Sequence, residues 1–237
     1  MSLAAMPVPL HSTGSARLLS WLAGGWSLFR RSPVRLFLLS LLPILVEAAC
    51  QVVPVVGIGV SKLVTPLASA WLWVLVDNKA RTGVFRPNGG AWFGRARPPS
   101  LLAVAALTAS VAIFQLAVAA MIAGPAQAFA LATGAMGALT LSRPELALVF
   151  ASGTVPGLFL TFVAPRVVLD GRTARQALVE SVERSIAYWQ PVLIMSTITT
   201  VLVALVLWAP WVLLVMLPSA LCVGYAMYRD VFAGPAD

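Results

Sequence analysis

Pro165 to Pro191 reads PRVVLDGRTARQALVESVERSIAYWQP, an island of charge between two long apolar segments. From Thr173 onward Leu178, Val182, Ile186 and Trp189 recur at helical spacing, with Val179 beside them, while Gln176, Glu180, Glu183 and Arg184 take the opposite face. Thr173 followed by Gln176 makes a capping-box start, and Glu180 with Arg184 makes an i,i+4 pair. Pro191 stands where a new helix begins. The pattern predicts an amphipathic helix over 173–189, lying on a membrane surface and turning at Gln190–Pro191 into a spanning helix.

Composition agrees with a membrane setting. Of the 237 residues, 60% are hydrophobic and only 10% charged, with a mean hydropathy of +0.92. Soluble domains carry about 25% charged residues, so a soluble fold of this length is excluded. The net charge of +8 would suggest nucleic acid in a soluble chain. In a membrane chain it reads as cytoplasmic loop charge, and no nucleic-acid partner is expected. Cys50 and Cys222 fall in apolar spans without metal-ligand spacing. The one histidine, His11, lies near the N-terminus, which leaves little room for His-based catalysis. No cofactor or metal is expected, and the chain does not read as an enzyme.

Outward from the charged island, the chain resolves into one membrane domain over 15–230. Residues 1–14 carry no charged side chain and no long apolar core, which predicts a disordered tail rather than a signal peptide. Residues 231–237 form a short C-terminal tail. A second amphipathic stretch covers 15–32, with Leu18, Leu22, Trp26 and Phe29 on one face and Arg17, Ser20, Ser27, Arg30 and Arg31 on the other. It ends at Pro33, as the later one ends at Pro191.

Six spans follow, at about 34–53, 63–76, 101–123, 146–164, 192–207 and 212–227. The second is short: 14 residues reach about 21 Å against a hydrocarbon core of about 30 Å. It therefore has to continue past Asp77 or begin inside the apolar turn that precedes it. Pro156 predicts a kink in the fourth. Trp208 to Trp211 makes a tight turn whose indoles suit an interface, as do Tyr225 and Tyr228 at the other end. Residues 126–142 are apolar but rich in Ala and Gly. Left outside the count, they give 14 basic residues facing the cytoplasm against two, Lys62 and Arg143, facing outward. Counted as a seventh span, they would send Arg166, Arg172, Arg175 and Arg184 outward. The positive-inside rule selects six spans, both termini cytoplasmic, with 126–142 re-entrant or on the outer face.

Three features invite a functional reading. Asp170-Gly171-Arg172-Thr173-Ala174-Arg175 fits the D-G-x-x-A-R opening of the CDP-alcohol phosphotransferase signature, but the Gly and two Asp that complete it are replaced by Arg184, Tyr188 and Val192. The metal-holding carboxylates are absent, and the segment reads as a turn into a capped helix. Glu47 is the one carboxylate well inside a span, and Gln115 falls at a similar depth. A carboxylate there marks a structural pair, here Glu47 protonated and bonded to Gln115, or a proton- or solute-binding site, or a solvated position near the outer interface. Arg30, Arg31, Lys79, Arg81, Arg95 and Arg97 are candidate contacts for anionic lipid.

GGWSLFRRSP at Gly24–Pro33, then a short hairpin of spans and a basic loop, and later VVLDGRTARQALVESVERSIAYWQP at Val167–Pro191, resemble a broad group of bacterial six-helix inner-membrane proteins of unknown function. The resemblance covers most of 15–230 through loose motifs of surface helix, aromatic, proline and span. It implies the bacterial inner membrane and the two-surface-helix architecture, and it brings no site residues. The first expectation is a non-enzymatic accessory or interaction protein, whose partners are membrane lipid and a further membrane protein. The alternative is a small transporter or lipid-handling protein using the polar site around Glu47.

Overall fold

The computed structural model describes residues 14–53, 56–85 and 93–232. Residues 1–13 of the predicted tail, with His11, lie outside the described residues, as do Pro54, Arg86 and residues 233–237. Every regular element among the described residues is helical. In chain order these are α1 (Gly14–Arg30), α2 (Pro33–Ser40), α3 (Leu42–Gln51), α4 (Val56–Thr82), α5 (Pro98–Ala123), α6 (Pro125–Thr133), α7 (Arg143–Ser152), α8 (Thr154–Leu160), α9 (Val163–Asp170), α10 (Ala174–Ala187), α11 (Trp189–Leu205) and α12 (Val212–Phe232).

Prolines set several of the starts. Pro33, Pro98 and Pro125 are the first residues of α2, α5 and α6, where a missing N–H costs nothing. Inside an apolar run the effect depends on place: α4 and α12 continue through Pro66 and Pro218. Pro43 accompanies the hinge at Leu41 between α2 and α3, and Pro165 the bend between α8 and α9. Gly171 closes α9 in the left-handed conformation, φ 71°, as an Asp-Gly turn requires. Thr173 and Gln176 then form the expected capping box: Thr173 Oγ1 accepts from the Gln176 amide at 3.3 Å, and Gln176 Oε1 accepts from the Thr173 amide at 3.2 Å.

Among the described residues four helices are long and apolar enough to cross a membrane: Pro33–Gln51 taken through its hinge, Val56–Thr82, Pro98–Ala123 and Val212–Phe232. Two bent pairs raise the number to six if each counts once. Arg143–Leu160 and Val163–Asp170 meet at 43°, and α10 meets α11 at 99°. α4 resolves the short second span, for it begins inside the apolar turn and also runs past Asp77, over 27 residues. At nine residues α6 extends only about 13 Å, too short to cross a membrane. It instead packs against α5 and α7 through Ala128, Ala119 and Val149. Gln127 ties down the segment that follows, donating to the Ala138 carbonyl at 3.2 Å and accepting from the Thr140 amide at 2.8 Å.

On α1 and α10 the apolar stripe stays largely on the outside, and a different face packs against the bundle. α1 buries Arg17, Trp21, Gly25 and Leu28 instead of Leu18, Leu22, Trp26 and Phe29, and Trp26 stays 60% exposed. α10 buries Ala177, Ser181 and Ser185, while Ile186 and Trp189 are 61% and 57% exposed. Small residues admit a neighbouring backbone, and polar ones repair it. Gly25 is such a place: a Cβ there would sit 2.9 Å from the Val223 backbone of α12. On α10 the serines satisfy backbone groups freed where α8 gives way to α9. Ser181 Oγ donates to the Phe159 carbonyl at 2.6 Å and accepts from the Phe162 amide at 3.2 Å. Ser185 Oγ donates to the Leu158 carbonyl at 3.1 Å. A broken helix in an apolar setting needs such partners.

The largest buried cluster gathers around the C-terminal half of α12, joining Trp21, Leu36, Val74, Phe162, Val168 and Tyr228. Dense packing thus sits at one end of the bundle and leaves the other end looser.

Candidate functional site: an apolar cavity with an ion pair at one end

The packed end is locked by carboxylates and aromatic groups. Tyr225 and Tyr228 lie three apart on one face of α12, so their hydroxyls reach two different helices. Tyr225 Oη donates to Asp77 Oδ1 of α4 at 2.8 Å, and Tyr228 Oη donates to Asp170 Oδ2 of α9 at 2.7 Å. Both rings are buried, so they are not the interface belt that the sequence suggested. Arg166 binds Asp170 at 2.5 Å and Glu180 at 2.6 Å, with its guanidinium 4.4 Å from the Phe232 ring centroid. Glu180 therefore pairs with Arg166 and Arg172, while its expected partner Arg184 sits over Phe232.

Beyond that lock lies a cavity of about 1190 Å³. Its floor includes Trp73, Leu158, Thr161 and Met227, and its walls come from α4, α5, α8, α11 and α12. α11 and α12 are consecutive and joined by the tight turn at 206–211, yet they touch little. Met195, Thr199 and Val203 of α11 and Met216, Ala220 and Val223 of α12 line the cavity between them. Most of the lining is apolar.

Its polar groups are few and placed apart. Gln115 donates to the Phe150 carbonyl at 2.8 Å, beside the α7–α8 break. Thr154 Oγ1 lies 2.7 Å from Thr200 Oγ1. At the end nearest the α3–α4 turn, Lys62 Nζ forms an ion pair with Glu47 Oε1, and Gln51 Nε2 donates to the same oxygen at 3.3 Å. From Lys62 down to Asp77 on α4 is about 22 Å at 1.5 Å per residue, so the cavity lies between two charged levels.

Glu47 and Gln115 line the same cavity, but the expected bond between them is not made. The nearer cation wins, because α3 and α4 form a hairpin that brings Lys62 directly opposite Glu47. Lys62 was missed because a charge close to an outer turn reads as solvated. Its signal was there: two opposite charges placed symmetrically about a short apolar turn.

The six basic candidates divide. Arg81 Nε donates to Asp77 at 2.9 Å, and Lys79 Nζ donates to the Gly83 carbonyl at 2.9 Å while lying over Phe85. Arg30, Arg31, Arg95 and Arg97 are exposed, and the Arg95 amide holds the loop to α9 by donating to the Val168 carbonyl at 2.9 Å.

No family model, curated protein or solved structure matches this chain. The functional reading therefore rests on the geometry of the chain itself.

Proposed function

We propose that this chain is a six-span protein of the bacterial inner membrane that binds a lipid or similar amphiphile in the cavity, entered from the bilayer between α11 and α12. The cavity carries the reading. Ligand sites for drug-sized molecules run to about 300–1,000 Å³, and this one is larger, chiefly apolar and charged at one end. A non-enzymatic role as carrier or lipid-dependent accessory follows, and the lipid-handling reading is preferred because an interaction protein needs no such space. α1 and α10 are taken as the amphipathic helices at the cytoplasmic level. The Asp77 end is taken as cytoplasmic, since Lys79, Arg81, Arg95, Arg97, Arg172 and Arg175 gather there.

Two measurements test this. In the first, the chain purified in mild detergent is analysed for retained lipid. A Cβ at Gly157 meets open space and the residue lines the cavity, so Gly157→Trp together with Ala112→Trp, at a second lining position, should take up much of its volume. The expected outcome is a folded protein that has lost most of its bound lipid, and unchanged lipid content would refute the cavity as its site. In the second, single cysteines are placed on a background lacking Cys50 and Cys222, in intact spheroplasts. Gln176→Cys should be shielded from an impermeant thiol reagent and Ala209→Cys labelled. Labelling at position 176 without lysis would reverse the orientation.

A further inference from the structure

We infer that Glu47 and Lys62 form the headgroup end of the cavity and select an amphiphile whose headgroup carries both an anionic phosphate and a primary ammonium. This inference rests on the cavity being a lipid site. Among the described residues, Glu47 and Lys62 are the only charged groups in the lining. They are not sealed away, for their side chains are 30% and 39% exposed. Both protein donors, Lys62 Nζ and Gln51 Nε2, go to the same Glu47 oxygen, Oε1. Oε2 remains as an acceptor, and the ammonium keeps two of its three N–H groups.

The site thus offers donors and an acceptor side by side, with zero net charge. A purely anionic headgroup meets Lys62 but is repelled by Glu47. A quaternary ammonium has no N–H to donate to the carboxylate. A phosphoethanolamine headgroup satisfies both sides at once: its phosphate oxygens accept from Lys62 and its ammonium donates to Glu47, each bond being charge-assisted. The placement fits as well. The pair lies beside the α3–α4 turn, at the end of the bundle where a headgroup would sit, while acyl chains would run toward Trp73 and Met227 along the apolar wall.

The test uses the full chain, delipidated in detergent, with binding read by native mass spectrometry for phosphatidylethanolamine, phosphatidylglycerol, phosphatidylcholine and free phosphoethanolamine. Phosphatidylethanolamine should bind about tenfold more tightly than either other lipid, the margin of roughly one charge-assisted hydrogen bond. Free phosphoethanolamine should not compete at lipid concentrations, and competition there would overturn the amphiphile assignment. Glu47→Gln with Lys62→Met removes both charges together, leaving none unpaired on the hairpin. This variant should still bind lipid but without headgroup preference. Exchange of the two, Glu47→Lys with Lys62→Glu, should restore the preference. Equal binding of all three lipids by the parent refutes the headgroup assignment and leaves the cavity standing. Binding of none refutes both.

Discussion

Replacing Arg166 by Met is expected to lower the unfolding free energy by about 3–5 kcal/mol, the cost of removing one member of a buried charge network. The side chain is 11% exposed and neutralises two carboxylates, Asp170 and Glu180, from two different helices. Without it those carboxylates repel each other, and among the described residues Asp170 keeps only the Tyr228 hydroxyl. Arg166→Lys should recover only part of the loss, since an ammonium cannot reproduce the guanidinium fork. The triple variant Arg166→Met, Asp170→Asn, Glu180→Gln should recover most of it, because the buried charges leave together and only the half-exposed Arg172 loses a partner. Denaturant titration in detergent, followed by far-ultraviolet circular dichroism, reads all three. A loss below about 1 kcal/mol in Arg166→Met, the range of exposed pairs, would mean that the network is solvated rather than structural.

This lock shows which parts of the fold are legible in the sequence. Starts and stops are local, so Pro33, Pro98, Pro125, Gly171 and the Thr173–Gln176 box mark helix ends where the structure has them. The corner before α11 is likewise legible, although it falls at Tyr188 rather than at Gln190–Pro191. Helix faces are not local. An apolar stripe predicts the buried side of a helix when the alternative is water. Where the alternative is hydrocarbon the rule weakens, and small or pairing residues pack inward instead. That is why α1 and α10 turn Gly25 and Ser181 inside and leave Trp26 and Ile186 outside. The site was half legible for a related reason. Glu47 and Gln115 announce themselves as polar groups in apolar spans, but the partner of Glu47 depends on hairpin register, and the cavity depends on helices that diverge, which no motif records.

The sharpest test of the packed face of α1 is Asp230. The sequence places Arg17 on a solvated face, and on that reading Asp230→Ala would change stability by no more than about 0.5 kcal/mol, as surface substitutions do. In the structure Asp230 Oδ2 lies 3.0 Å from Arg17 Nε and accepts from Trp21 Nε1 at 2.8 Å. The Arg17 side chain is 9% exposed, and its guanidinium also rests 4.6 Å from the Tyr188 ring centroid. Asp230→Ala therefore strands a buried cation and a buried indole N–H together, with an expected loss of about 3–5 kcal/mol. Arg17→Met alone should cost less, because Asp230 is 23% exposed and keeps the Trp21 donor. The double variant Arg17→Met, Asp230→Ala should then be more stable than Asp230→Ala alone, since the stranded cation is gone. That inversion, read in a double-mutant cycle, distinguishes a packed ionic contact from a loose one. Simple additivity, with both single losses small, would return α1 to the free surface helix that its leucine stripe suggests.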